Sequence, residues 1–88
     1  MIGQFSVCQF FPDGSYEYVR RGIGPTEAVP IALDYCCSVG ARIGTTVRVI
    51  VTDGDDFITF EWIREKGVVF PPGHEGQLIN GQRGGAAA

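Results

Sequence analysis

Basic residues, histidine and long apolar runs are all scarce in this chain, and each shortage closes a class of function. Lys and Arg number 7 against 10 Asp and Glu, which leaves a formal charge of −3 over 88 residues. Phosphate backbones are held by concentrated Lys and Arg, so the balance argues against a nucleic-acid module. No stretch approaches the roughly 20 apolar residues of a membrane helix, and no basic segment followed by an apolar run opens the chain. The expected setting is therefore cytoplasmic, with no membrane partner.

Histidine occurs once, as His74, in a Pro- and Gly-rich stretch. General acid-base work needs a group held within hydrogen-bond reach of its substrate, which such a stretch does not provide. Ser6, Ser15 and Ser38 therefore lack a base partner. No catalytic residue is assigned, and the chain reads as a non-enzyme. The three cysteines, Cys8, Cys36 and Cys37, are odd in number. Neighbours on a helix point about 100° apart, so Cys36 and Cys37 are badly placed to bridge each other. They read as small buried groups in a reducing compartment. Asp53-Gly54-Asp55-Asp56 lacks the alternating ligands and distal Glu of a calcium loop, and no Cys/His set completes a zinc site. No metal and no cofactor is expected.

What the chain does have is alternation. Val47, Val49 and Val51 alternate with Arg48, Ile50 and Thr52, Asp53-Gly54 marks a turn, and Ile58, Phe60 and Trp62 alternate with Phe57, Thr59 and Glu61. Asp-Gly between alternating apolar runs predicts a hairpin. A two-residue turn and a four-residue Asp53–Asp56 loop both put Val47, Val49 and Val51 on one face with Ile58 and Phe60. Upstream, Gln4 to Phe11 and Ser15 to Arg21 predict another hairpin, turned by Pro12-Asp13-Gly14 with Gly14 left-handed. Pairing Phe11 with Ser15 sorts Cys8, Phe10, Tyr16 and Tyr18 onto one face and Phe5, Val7, Phe11 and Val19 onto the other. Both faces carry large apolar groups, which predicts cover on both sides.

Between the hairpins, Thr26 to Val39 predicts a helix capped by Thr26 and stopped by Gly40, with Pro30 tolerable only in its first turn. Ala28, Ala32, Tyr35, Cys36 and Val39 form one stripe, with Val29, Leu33 and Cys37 beside it, more apolar surface than one sheet would cover. Val68-Val69-Phe70 predicts a short fifth strand before Pro71-Pro72. The expected fold is α+β: an antiparallel sheet of four or five strands with one helix packed on a face, in the order β-β-α-β-β with an optional further β. Residues 1–72 are expected to form the single domain and the Gly-rich residues 73–88 a disordered tail.

Surplus apolar surface on so small a domain predicts a second copy or another protein over it. Phe5, Val7, Phe11, Val19, Leu33 and Cys37 are the interface candidates. Arg20, Arg21, Gly22, Gly24 and Thr26 lead into a helix N-terminus, a setting that attracts anions, and Tyr16 and Tyr18 with Arg20 on their predicted face could line a pocket. Tyr16, Tyr18 and Phe10, in combination with Arg20, could stack single-stranded bases or a planar ligand.

Phe11 to Arg21, Val49 to Gly54 and Val68 to Pro71 together resemble small uncharacterised bacterial proteins, including those carried on mobile integron gene cassettes. That resemblance spans residues 5–72 and implies no activity and no functional residues. The functional expectation is a homodimeric protein-interaction module, with a small-molecule or anion-binding domain and a single-stranded nucleic-acid binder as the alternatives.

Overall fold

The structure is a computed structural model that describes residues 4–82. Its first hairpin joins β1 (Phe5–Phe10) to β2 (Tyr16–Ile23). Phe11 N–H donates to the Ser15 carbonyl at 2.9 Å, Gly14 N–H to the Phe11 carbonyl at 3.0 Å, and Gly14 takes the left-handed conformation with φ +89°. The Asp13 carboxylate accepts from the Ser15 N–H and hydroxyl at 2.9 and 2.6 Å. Those bonds hold its pKa below the usual carboxylate value.

The second hairpin joins β3 (Arg48–Thr52) to β4 (Ile58–Ile63) by the same kind of loop. Asp53 N–H donates to the Phe57 carbonyl and Asp56 N–H to the Asp53 carbonyl, at 3.0 and 3.1 Å. The left-handed residue is Asp56, with φ +65°, and not Gly54. This corrects the expected loop, which is neither the two-residue Asp-Gly turn nor the four-residue one. Gly54 is needed for space instead: a Cβ there would lie 2.9 Å from Gln4 Cβ. Asp56→Gly relieves a side chain from a left-handed position, so it is expected to stabilise the fold by about 0.5–1 kcal/mol. Thermal melts check this; an unchanged or lower midpoint would contradict it. Val51 pairs with Phe60 and Val49 with Trp62, so the inward face is as expected. A bulge between Val51 and Thr52 places Ile58 opposite Thr52, and Ile58 ends up exposed.

A short β5 (Gly67–Phe70) completes a five-stranded antiparallel sheet ordered β2-β1-β3-β4-β5. The fold is therefore α+β, with element order β-β-α-β-β-β once the helix pair between β2 and β3 is counted as one helical segment. That segment is α1 (Pro25–Cys36) followed by α2 (Val39–Ile43). Two corrections apply to its ends. Gly24, not Thr26, is the N-cap: Pro25 occupies the first helical position, where its missing N–H costs nothing, and the Glu27 carboxylate reaches back to accept from Gly24 N–H at 3.0 Å. The break comes at Cys37-Ser38 rather than at Gly40. Ser38 Oγ donates to the Tyr35 carbonyl and accepts from Ala41 N–H, so it ends one helix and caps the next. Pro30 sits in the second turn of α1, on the exposed side.

Ala28, Ala32 and Cys36 recur every fourth residue and form the buried line of α1. Small side chains there let the helix lie close on β1 and β3, over Val7, Val49, Val51, Phe60 and Trp62, all but Phe60 without exposure. Thr46 Oγ1 closes one end of this layer by donating to Gln9 Oε1 at 2.8 Å. Arg64 ties α2 to the sheet, its guanidinium donating to the Ala41 and Arg42 carbonyls at 2.5 and 2.7 Å.

The expected tail is not one over residues 73–82. Val68 N–H donates to the Gln77 carbonyl and Gly76 N–H to the Val68 carbonyl, each at 2.9 Å. Trp62 Nε1 donates to the Leu78 carbonyl at 2.8 Å, and a 3-10 turn at Ile79–Gly81 packs beside α2. Leu78 is partly buried against the core. This strap carries few large apolar groups because backbone hydrogen bonds hold most of it. Residues 83–88 of the expected tail lie outside the described residues.

Candidate functional site

The helices and the strap all cover one face of the sheet, the face of Val7, Val49, Phe60 and Trp62. Among the described residues no helix or strap covers the opposite face, although Cys8 and Ile50 on it are buried. Strand register sets its side chains in rows. One row runs Tyr16, Phe10, Arg48, Ile63 and the next Tyr18, Cys8, Ile50, Glu61, Phe70. Their apolar surface is unusually open at the β2 end: Tyr16 is 58% exposed and Tyr18 47%.

These aromatic groups are held in one arrangement. Phe10 and Tyr16 rings lie 5.5 Å apart and Tyr16 and Tyr18 meet edge to face at 6.0 Å. Arg21 lies over the Tyr18 ring and Arg48 over the Phe10 ring, each 4.7 Å from the centroid. Arg48 is itself fixed by Glu61, Nε to Oε2 at 2.8 Å. The result is a ladder of three rings flanked by two guanidinium groups.

Arg21 stands here, rather than Arg20, because β2 is bulged. Cys8 pairs with Tyr18 but Val7 pairs with Arg20, so one extra residue is absorbed between them and the alternation slips. Val19 turns to the core and Arg20 to the helix side, and Arg21 joins the tyrosines. Strict alternation, which places Arg20 on the tyrosine face, is corrected by this slip.

The residues of the expected anion loop are not brought together at one point. Arg20 and Arg21 diverge to opposite faces, Arg20 Nη1 turns back to the Val19 carbonyl at 3.4 Å, and the Gly24 N–H at the helix end is already taken by Glu27. Gly22, with φ +68°, serves the irregular exit of β2. Thr26 is exposed on α1 and apart from Tyr16 and Tyr18.

The interface candidates also need correction. Val7 has no exposure, while Phe5, Val19 and Leu33 pack against the core. Their apolar surface is consumed inside the chain because α1 crosses β1. Phe11 is half-buried at the hairpin end, and Cys37, also half-buried, donates from Sγ to the Leu33 carbonyl at 3.2 Å. Among the described residues the first hairpin is thus covered by a helix on one side only.

Elsewhere the chemistry is sparse. Burial pushes the Cys8 and Cys36 thiols up, away from the reactive thiolate. A shallow cavity of about 300 Å³ lies beside Gln4, Phe5, Asp53, Gly54 and Asp55, remote from the ladder. No group of three or more His, Cys, Asp or Glu side chains able to hold a metal ion occurs among the described residues, and no helix there is long and apolar enough to cross a membrane. Comparison with known protein families, with curated proteins and with solved structures found no match.

Sequence reasoning placed Cys8, Phe10, Tyr16 and Tyr18 on one face but missed Arg21 and the part of the face that β3, β4 and β5 supply. The parity of β3 and β4 does place Arg48 and Glu61 together, and that was the available signal. Nothing in composition marked Phe70 as their neighbour.

Proposed function

We propose that this chain is a small non-catalytic protein-binding module of the cytoplasm that docks its partner on the bare sheet face at the β1–β2 end. The observation that supports it is the clamped Phe10–Tyr16–Tyr18 ladder with Arg21 and Arg48. Tyr and Arg are the residue types that dominate binding energy at protein interfaces, and side chains already fixed in place lose little freedom on binding.

Stacking of nucleic-acid bases is less well supported. The guanidinium groups cover ring faces that bases would need, and the net charge of −3 opposes phosphate. An anion site is less well supported still, since Glu27 occupies the helix end.

The test compares the wild-type chain with a Tyr16→Ser/Tyr18→Ser variant as immobilised bait in cell extract, partners being identified by mass. Both tyrosines are exposed, so the melting temperature is expected to change by only a few degrees. Removing a hot-spot aromatic group is expected to weaken binding by about 2 kcal/mol, roughly 30-fold, enough to lose a specific partner. Retention of the same proteins by both baits, or of none by the wild type, rejects the proposal.

A further inference from the structure

The two edges of the sheet are finished differently. The outer edge of β5 is sealed by the chain itself through the paired Val68–Gln77 and Gly76–Val68 hydrogen bonds. At the other edge β2 is the longest strand, exposed along most of its length, and among the described residues β1 is its only strand partner. A bare edge strand is a template for another strand.

The bulge makes this edge complementary to itself. In an unbroken antiparallel pair, facing residues must share a face, so a strand paired with its own copy sets residues of like parity opposite each other. The slip at Val19–Arg20 changes which residues can meet. Glu17, opposite Gln9, lies on the helix side of the sheet, and so does Arg20, opposite Val7. Tyr16 and Arg21 both lie on the bare side. A two-fold axis between Tyr18 and Val19 sets Glu17 against Arg20 of a second copy, and Tyr16 against Arg21 of that copy, each twice by symmetry, on either side of a central step where Tyr18 and Val19, on opposite faces, do not pair. Opposite charges meet on one face and an aromatic–guanidinium pair on the other. Neither Arg20 nor Arg21 has a carboxylate partner within its own chain among the described residues.

We infer that the chain forms a two-fold dimer by antiparallel pairing of β2 with β2 of a second copy, centred on the bulge, which joins the two sheets into one. The two aromatic ladders then meet at the seam as a single docking face, and the 58%-exposed Tyr16 gains a guanidinium neighbour. The inference goes beyond the docking role and stands without it, because it is read from the mass of the chain alone.

The test measures mass by sedimentation over a dilution series for the wild type, Glu17→Arg and Arg20→Glu. The wild type is expected to dimerise, and each single reversal to raise the dissociation constant about 100-fold by replacing two attractions with two repulsions. Mixing the two variants in equal amounts restores every pair as a heterodimer, so the mixture is expected to recover the dimer that neither forms alone. Thermal melts confirm folding, and Glu17→Gln and Arg20→Gln, which remove charge without opposing it, are expected to weaken the dimer and remove its salt dependence. A wild type that stays monomeric up to millimolar concentration, reversals that leave the dimer intact, or a mixture that fails to restore it each overturn the inference. None of these results depends on whether the tyrosines bind another protein.

Discussion

Gly67→Ala is expected to lower stability by about 3–5 kcal/mol and to shift the fluorescence of the single tryptophan, Trp62, to the red. Two costs add. Gly67 has φ +76°, a conformation that costs an L-residue about 1–2 kcal/mol. A Cβ there would also collide with the Gln77 carbonyl oxygen and the Gly76 carbonyl carbon, backbone atoms with no freedom to turn aside. The strap must lift, which releases the two backbone bonds to Val68 and the Leu78 carbonyl over Trp62 Nε1. Gly73→Ala separates the two costs. Gly73 also has a positive φ, +97°, but nothing lies within 4 Å of its absent Cβ. That variant is expected to lose only about 1–2 kcal/mol with no change in emission. Equal losses in the two variants would show that the strap adds nothing to stability.

Trp62→Ala is expected to lower stability by about 4–6 kcal/mol. The indole has no exposure and sits between Val49 and Val68 across neighbouring strands. Truncating a buried aromatic side chain of this size costs about 3–5 kcal/mol through lost transfer and cavity. The unpartnered Leu78 carbonyl adds about 1 kcal/mol. A domain of this length has a total stability of about 4–13 kcal/mol, so the loss takes under half of it at the upper end and all of it at the lower. Circular dichroism on heating distinguishes the outcomes. A sharp transition within about 10 °C of the wild type would mean that α1 and the strap close over the gap. Trp62→Phe keeps most of the volume and is expected to lose about 2 kcal/mol.

What was legible in the sequence was whatever a local rule could express. Alternation through Val47–Val51 and Phe60–Trp62 marks strands because a two-residue period has one structural meaning, and Pro12-Asp13-Gly14 marks a turn because Gly tolerates the left-handed position. Pro25 was the better sign of the helix start than Thr26. Its position inside the first turn follows from chain geometry, whereas a Thr can cap only where the backbone lets it. The bulge at Val19–Arg20 left no mark, since an extra residue in a strand changes no composition, yet it decides which arginine joins the tyrosines. The strap was illegible for a related reason. Its contacts are backbone to backbone, and periodicity of side chains carries no record of them. For the site, Tyr16 and Tyr18 were identified, but the sequence could not say which face of their hairpin α1 would cover.

The position of β1 has a kinetic consequence. Each hairpin closes over a loop of a few residues, and such closures take about microseconds. The β1–β3 pairing is different, because it brings together residues 38 to 46 apart along the chain, from Phe10 with Arg48 to Ser6 with Thr52. Until that long loop closes, α1 has only half of its floor, Val7 without Val49 and Val51, and the two hairpins are separate pieces with little to bury. The slow event in acquiring this fold is therefore the meeting of its two halves at the centre of the sheet, and the chain's speed is governed by a single seam rather than by its turns.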